Sequence, residues 1–445
     1  MTVTAVRKDP DTLTMTLTAE FDASPERVWE LWADPRQLER WWGPPTYPAT
    51  VTAHDLTPGG RVEYHMTGPS GDQPRGFWEI LESDAPHRLV YRHGFAHDDG
   101  TPNPDLPGMT AGVTIEPIDA GRTRMSIESQ FPSTEAMEQI LAMGMEEGLK
   151  QAVGQINAIL AEHTLDVPGA VLTFDIRRAD SSSAPVLLLI GSPMGAGGFG
   201  TLAGHFTDRT VVTYDPRGVD RSTKADPASP STPQEHAEDL HRLIAELDAG
   251  LVDLFASSGG AVNALALVAK HPEQVRTLVA HEPPLASILP DREGALAACR
   301  AIHETYQRSG FGAGMAQFMT AVTHRGPMDA AFAGQPAPDP AMFGLPTEDD
   351  GTRTDPLLGQ NIISITHYEP DFEALQAAST RIVMAAGAES EGEMAHRGAI
   401  AVAERLGTEP VTFPSNHGGF LGGEFGQTGD PDAFAAKLRR VLAES

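Results

Sequence analysis

Residues 251–267 read LVDLFASSGGAVNALAL: an apolar run stops at two serines and two glycines, and a helical pattern of small residues begins. A strand turning sharply into a helix at this point would lift the hydroxyl of Ser258 out of the chain. Such a bend strains the serine backbone and needs small neighbours, which Ala256 and Gly260 supply two residues before and after it. A serine hydroxyl is a poor nucleophile until an imidazole takes its proton. The stretch VTFPSNHGGF places His417 in a loop after a short apolar strand, while His236, His241, His271 and His281 read as surface or core histidines. The imidazole in turn needs a carboxylate to fix its tautomer. The strand-and-loop RIVMAAGAESEGEM offers Glu389, nearest the strand end and preferred, then Glu391, and Glu282 at the end of LVAHEPP is a third choice. An oxyanion requires preorganised N–H donors. Gly259 follows the serine, and Ser192 in LLLIGSPMGAGGF can donate where Pro193 has no N–H.

These residues lie in the later two thirds of the chain, where apolar strands alternate with helical patterns. PVLLLIG, RTVVTYDPRG, LVDLFASS, RTLVAHEPP, RIVMAAGAES and TEPVTFPS are short and apolar on both faces, as buried strands of a parallel sheet are. Between two of them Leu240, Leu243, Ile244 and Leu247 share one helix face, so a doubly wound α/β domain is expected. Residues 286–365 interrupt the alternation with a helical part and a Pro/Gly-rich part, which predicts an inserted cap or lid. Before about residue 165 the pattern differs. TLTMTLTAEF alternates as a half-buried strand, and ASPERVWELW carries an N-cap serine, a first-turn proline and an apolar face. Six further strand-like segments lead to one long helical pattern over STEAMEQILAMGMEEGLKQAVGQINAILAEH. Two domains are therefore expected, at 1–165 and 166–445, the first an antiparallel sheet wrapped on a long helix.

The segments SPERVWELWADPRQLERWWGPPTYPATV, LTPGGRVEYHM and GFWEILESDAPHRLVYR resemble the heat-shock ATPase-activator-homologue branch of the START-like (SRPBCC) superfamily, over roughly residues 10–163. That resemblance implies an α+β helix-grip fold with an apolar ligand cavity, and no fixed chemistry. The region from about 170 onward resembles the α/β-hydrolase superfamily: the order Ser258, Glu389, His417 is that superfamily's order. YDPRGVDRS is similar to its YDxRGxGxS turn with Asp220 where glycine is usual, and Ile190 stands where many members carry a histidine.

A formal net charge of −29 opposes binding to nucleic acid or to anionic membrane surfaces. No signal-peptide pattern opens the chain and no apolar run is long enough for a membrane span, so a cytoplasmic protein is expected. Its single cysteine, Cys299, cannot form an intrachain disulfide and reads as a buried thiol. The expectation is a serine hydrolase that needs no cofactor or metal and cleaves an ester, lactone or similar activated carbonyl in a hydrophobic small molecule. The N-terminal domain would bind apolar ligand or support the hydrolase. The same residues would serve a perhydrolase, acyltransferase or C–C hydrolase. A non-catalytic ligand binder or co-chaperone is the alternative of another class. A homo-oligomer is left open by the sequence.

Overall fold

In the computed structural model, which describes residues 3–119, 121–179 and 182–444, the alternation along Thr14–Phe21 is obeyed residue by residue. Met15, Leu17, Ala19 and Phe21 are buried and the residues between them half-exposed, the mark of a strand with one face on a core. The strands β1 (Val3–Asp9), β2 (Thr14–Phe21), β3 (Ala49–His54), β4 (Arg61–Met66), β5 (Arg75–Asp84), β6 (Arg88–Ala96), β7 (Met109–Pro117) and β8 (Thr123–Gln130) form one antiparallel sheet. Their order is β1-β2-β8-β7-β6-β5-β4-β3. Between β2 and β3 lie α1 (Pro25–Ala33) and α2 (Pro35–Glu39), each begun by a capping side chain, Ser24 and Asp34, with proline in the first turn.

The single long helix expected over 133–163 is instead three: α3 (Thr134–Ala142), α4 (Met145–Gly154) and α5 (Ile156–Leu160). Gly144 causes the first break, with φ of 88°, a left-handed conformation that glycine adopts without a side-chain clash. The apolar periodicity survives the breaks: Ile140, Leu149, Val153, Ile156 and Leu160 all enter the core. Aromatic rings fill the centre of that core. Trp32 meets Trp41 at 4.8 Å, Trp42 meets Trp78 at 4.8 Å, and Trp78 stacks on Tyr91 at 4.5 Å. Each such pair contributes about 0.5–1.5 kcal/mol beyond burial.

The chain divides into two units between Glu162 and His163. In the second, β9 (Glu162–Val167) pairs with β10 (Ala170–Arg177). The remaining strands are β11 (Leu187–Ile190), β12 (Val211–Asp215), β13 (Thr223–Lys224), β14 (Val252–Ser257), β15 (Val275–His281), β16 (Arg381–Gly387) and β17 (Val411–Phe413). Their order is β13-β10-β12-β11-β14-β15-β16-β17. The sheet is parallel from β12 through β17, with β10 antiparallel to both of its neighbours on this path. The helices α6 (Gly200–Gly204), α7 (Pro233–Leu247), α8 (Gly259–Lys270), α12 (Phe372–Ala377), α13 (Met394–Leu406) and α14 (Pro431–Ala443) accompany it, with separate apolar cores on its two faces.

Between β15 and β16 lies a helical cap. It contains α9 (Arg292–Val322), kinked at Gly310 where φ is 82°, then α10 (Ala330–Ala333), a π-helical turn over Pro356–Asn361 and α11 (Ile362–Thr366). Cys299 is buried in the cap's own core with Ile302, Tyr306, Met328, Leu358 and Ile362. Burial pushes its thiol pKa up to about 11, which keeps it protonated. No helix among the described residues is long and apolar enough to cross a membrane.

In the first unit His93 is buried and its Nε2 bonds Tyr64 Oη at 2.9 Å. Burial lowers its pKa from 6.5 to about 4. The folded state thus resists a proton that the unfolded chain accepts, and stability falls as pH drops from 6.5 toward 4. Between pH 7 and pH 5 this residue should cost about 2 kcal/mol. All five tryptophans precede residue 79, so tryptophan emission follows this unit alone. Urea titrations read by that emission should show the midpoint falling over this pH range, and a flatter dependence in His93→Leu.

Candidate active site

All six residues of β14 are buried, and the next residue, Ser258, departs from both strand and helix with φ of 56° and ψ of −128°. A non-glycine residue held in such a conformation costs about 1–3 kcal/mol and persists only where its surroundings impose it. Here they do. Ser258 N–H donates to the His281 carbonyl at 2.9 Å, and Ala261 N–H donates to the Ser258 carbonyl at 3.0 Å. The two glycines that follow admit the loop after β11. A Cβ on Gly259 would lie 2.5 Å from Ser192 O, and one on Gly260 would lie 2.6 Å from Ile190 O. Any side chain at either position would push the helix away from the loop. Ser258 itself is half-buried, and its Oγ makes no hydrogen bond among the described residues.

The loop after β11 brings Ser192 against this helix start. Neither the Ser192 N–H nor the Gly259 N–H has an acceptor among the described residues, and both belong to the segments where the loop after β11 packs on the start of α8. The first-turn N–H groups of α8 add the positive end of its dipole. Asp215, at the end of β12, fixes the loop by accepting from Ala196 N–H at 2.7 Å, and Arg221 Nε holds its other oxygen at 2.7 Å. Asp220, standing where the resembled turn has glycine, adopts φ of 46°. Aspartate is among the few residues that enter this region readily.

His417 follows β17 in a loop, with its side chain 38% exposed, and its Nδ1 lies 2.6 Å from Glu282 Oε2. The carboxylate expected there, Glu389, is elsewhere. It is exposed, its carboxylate accepts a 3.4 Å contact from Ser415 Oγ and no other side-chain donor among the described residues, and its backbone carbonyl accepts from Arg325 Nη2 at 2.6 Å. Glu391 is exposed as well. The expectation of Glu389 as the partner of His417 is therefore corrected to Glu282, the third choice from sequence. The reason lies in the backbone. Glu282 takes φ of 47° directly after β15, a turn that drives its side chain inward, and it is fully buried.

Glu282 is held at both oxygens. Gly387 N–H donates to Oε1 at 2.8 Å, the Ser390 hydroxyl donates to the same atom, and His417 Nδ1–H donates to Oε2. Burial opposes its ionisation, but the hydrogen bond from His417, the neighbouring imidazoles and the Ser390 hydroxyl outweigh that, holding the pKa at about 2. Glu282 is thus a carboxylate at every working pH and keeps the proton of His417 on Nδ1, leaving Nε2 as the basic nitrogen.

His281 was read from sequence as an ordinary histidine. It is fully buried, bonds Ser257 Oγ through Nδ1 at 3.1 Å, and lies with its ring centroid 5.9 Å from that of His417. Burial among Phe255, Phe413, Phe420 and Phe434 pushes its pKa down to about 4, so it stays neutral beside the working imidazole. His281, Glu282 and His417 offer ligand-type atoms within 4.8 Å of one another. The His417–Glu282 and His281–Ser257 hydrogen bonds make this an acid–base cluster. Sequence reasoning passed over Ser257, Ser390 and the role of His281. The stretch HEPP carried a usable signal, since a carboxylate between an apolar strand and two prolines has few routes to solvent.

Two family models match the chain: Activator of Hsp90 ATPase homolog 1-like protein over residues 22–161, and the alpha/beta hydrolase fold over residues 184–299. Over 272 residues the chain is 33% identical to YraK of Bacillus subtilis (strain 168), described as an uncharacterized hydrolase, spanning 58% of this chain and 89% of that protein. Among solved structures, Ms6760 from Mycobacterium smegmatis is 51% identical, covering 36% of this chain and 96% of its own, with a TM-score of 0.34. A thermophilic esterase from Thermogutta terrifontis is 19% identical, covering 64% of this chain and 98% of its own, with a TM-score of 0.46.

The two candidate carboxylates are separable by experiment. Glu282→Gln should lower kcat on an activated ester such as p-nitrophenyl acetate by about 10³–10⁴-fold, because an amide no longer fixes the imidazole tautomer. Glu389→Gln should leave kcat within about twofold, and steady-state kinetics of the pair would reverse the assignment if the losses were exchanged.

Proposed function

The chain belongs to the α/β-hydrolase family and carries an Hsp90-ATPase-activator-homologue-like domain ahead of the hydrolase, and we propose that it cleaves an ester, lactone or similarly activated carbonyl in a hydrophobic small molecule. One observation carries the reading: Ser258 sits in a left-handed bend whose N–H bonds the carbonyl of His281, and the residue after His281, Glu282, is the buried carboxylate that backs the His417 imidazole.

In the first half of the reaction Ser258 Oγ attacks the carbonyl carbon while His417 Nε2 takes the hydroxyl proton. The carbonyl oxygen gains negative charge and accepts from the N–H groups of Ser192 and Gly259. Glu282 stabilises the imidazolium through Nδ1–H without taking its proton. The C–O bond to the leaving group breaks, His417 returns the proton to the departing oxygen, and an acyl ester on Ser258 remains. Water, activated by the same imidazole, then releases the acid and restores the serine.

The character of the substrate is read from the walls. Ile365, on the returning arm of the cap, places its Cδ1 3.3 Å from the position a Cβ on Gly259 would take, so an apolar side chain borders the oxyanion donors. The net charge of −29 disfavours an anionic substrate. Binding of apolar ligand or support of the hydrolase is the role proposed for the N-terminal domain.

Intact mass after treatment with a fluorophosphonate should show one adduct on the native chain and none on Ser258→Ala. The same variant should lose at least about 10³-fold in ester turnover. Undiminished turnover by Ser258→Ala would sink the proposal.

A further inference from the structure

We propose that Ser390 is a positioning residue that aims the Glu282 carboxylate at His417, and that Arg325 of the cap keeps Ser390 in place. The inference rests on the reading of His417 and Glu282 as the working acid–base pair.

Glu282 has a free choice of rotation about its last bond, and only one orientation presents Oε2 to the imidazole. Two donors make that choice. Gly387 N–H reaches Oε1 at 2.8 Å, and the Ser390 hydroxyl reaches the same oxygen. With Oε1 doubly occupied, Oε2 is the atom left for His417 Nδ1 at 2.6 Å. Ser390 is itself fully buried, and its Oγ also lies 3.2 Å from Gly387 O, so the hydroxyl is confined to the end of β16. Having a single proton, it gives that proton to the nearer and charged acceptor, Glu282 Oε1.

Ser390 lies in the loop 388–393, and that loop is fastened from the cap. Arg325 Nη2 donates to the carbonyl of Glu389 at 2.6 Å, the residue immediately before Ser390. The same guanidinium lies 3.6 Å from Glu393, and Gly326 N–H donates to Gly392 O at 2.9 Å. Arg397 Nη1 adds a bond of 2.8 Å to the Gly326 carbonyl, and its other nitrogen pairs with Asp291 at the start of α9. Hydrogen bonds therefore run without a gap from Arg325 to the Glu389 carbonyl, and from Ser390 through Glu282 to His417. A shift of the cap at Arg325 is transmitted to the carboxylate by one intervening peptide unit. In this arrangement the loop that sequence reading chose as the source of the acid supplies instead the group that orients it.

The test uses the full-length chain. Ser390→Ala should lower kcat on p-nitrophenyl acetate by about 10–100-fold, the range for losing an orienting partner behind a functional ligand, with KM within about twofold. The low-field proton resonance of His417 Nδ1–H should move or broaden in this variant, because the carboxylate that accepts it is no longer fixed. Arg325 is exposed and its replacement leaves the core intact, so Arg325→Ala should fold normally and show the same signature in weaker form, with kcat down about threefold or more. Native kcat and an unmoved resonance in Ser390→Ala would overturn the inference. Should that variant fail to fold, an unmoved resonance in Arg325→Ala would overturn it equally. The resonance does not depend on turnover: a chain that neither hydrolyses esters nor labels at Ser258, yet loses the resonance in Ser390→Ala, would keep this inference and reject the serine-hydrolase reading.

Discussion

The hydrogen bond from Ser258 N–H to the His281 carbonyl, 2.9 Å long, ties the bend after β14 to the last residue of β15. Parallel strands in register would normally continue their ladder at this point. Ser258 instead turns away with φ of 56°, and Glu282, one residue beyond His281, turns with φ of 47°. Two adjacent strands thus end in paired left-handed residues, one carrying the hydroxyl and the other the carboxylate. The cost of each strained residue is about 1–3 kcal/mol, and the surrounding bonds hold it. Glu282 N–H continues to Ala385 O on β16 at 3.0 Å, while the glycines after Ser258 let the helix press on the loop after β11. Precision in the site is therefore a property of the sheet edge. The loops add His417, the Ser390 hydroxyl on Glu282 and the Ser192 N–H.

This origin explains which parts of the site were legible. Ser258 could be read because the elbow imposes small residues at fixed offsets, and those offsets are visible in the chain. His417 could be read because it follows the last apolar strand. The acid was ranked wrongly, because Glu389 and Glu282 both follow apolar strands and both lie at the carboxyl edge of the sheet. What separates them is a backbone dihedral at residue 282, and no periodicity records it. The pull toward Glu389 came from a loop rich in glutamates, and such loops are rich in charge because they face water. A carboxylate flanked by an apolar strand and two prolines was the better candidate on physical grounds. Its isolation from solvent is what makes its hydrogen bonds decide its ionisation.

In the N-terminal unit seven of the eight strands were readable, β1 being the exception because none of its residues is buried and no apolar alternation marks it. Nor were the breaks in the last helical stretch readable. Gly144 interrupts the backbone while the apolar spacing continues across it, so periodicity reports the buried face and not the continuity of the helix. The interior raises a similar point. The resemblance implied an apolar cavity, and the centre of this core holds Trp32, Trp41, Trp42, Trp78, Tyr64 and Tyr91 in mutual contact. Tyr64 and His93 bring polar atoms into that apolar mass, and burial shifts both away from charge, Tyr64 up to about 12 and His93 down to about 4.

Two departures from the resembled hydrolase pattern lie on either side of the oxyanion loop, and neither disturbs it. Ile190 is fully buried in the core, so its side chain does not contribute to the loop's shape. The loop is shaped by its backbone instead. Gly260 and Gly259 lie against the carbonyls of residues 190 and 192, and Asp215 grips Ala196 N–H. Asp220 replaces a glycine at φ of 46°, and its carboxylate packs against Gly195, where any side chain would collide with it and with Asp215. Burial, followed by the Asp215 charge, raises the Asp220 pKa. Two carboxylates so close are tolerable because Arg221 bonds Asp215 at 2.7 Å and Asp175 at 2.7 and 2.9 Å, neutralising the group from below. The donors that would receive an oxyanion are therefore placed by glycine packing and one aspartate, with no part played by the side chain of residue 190.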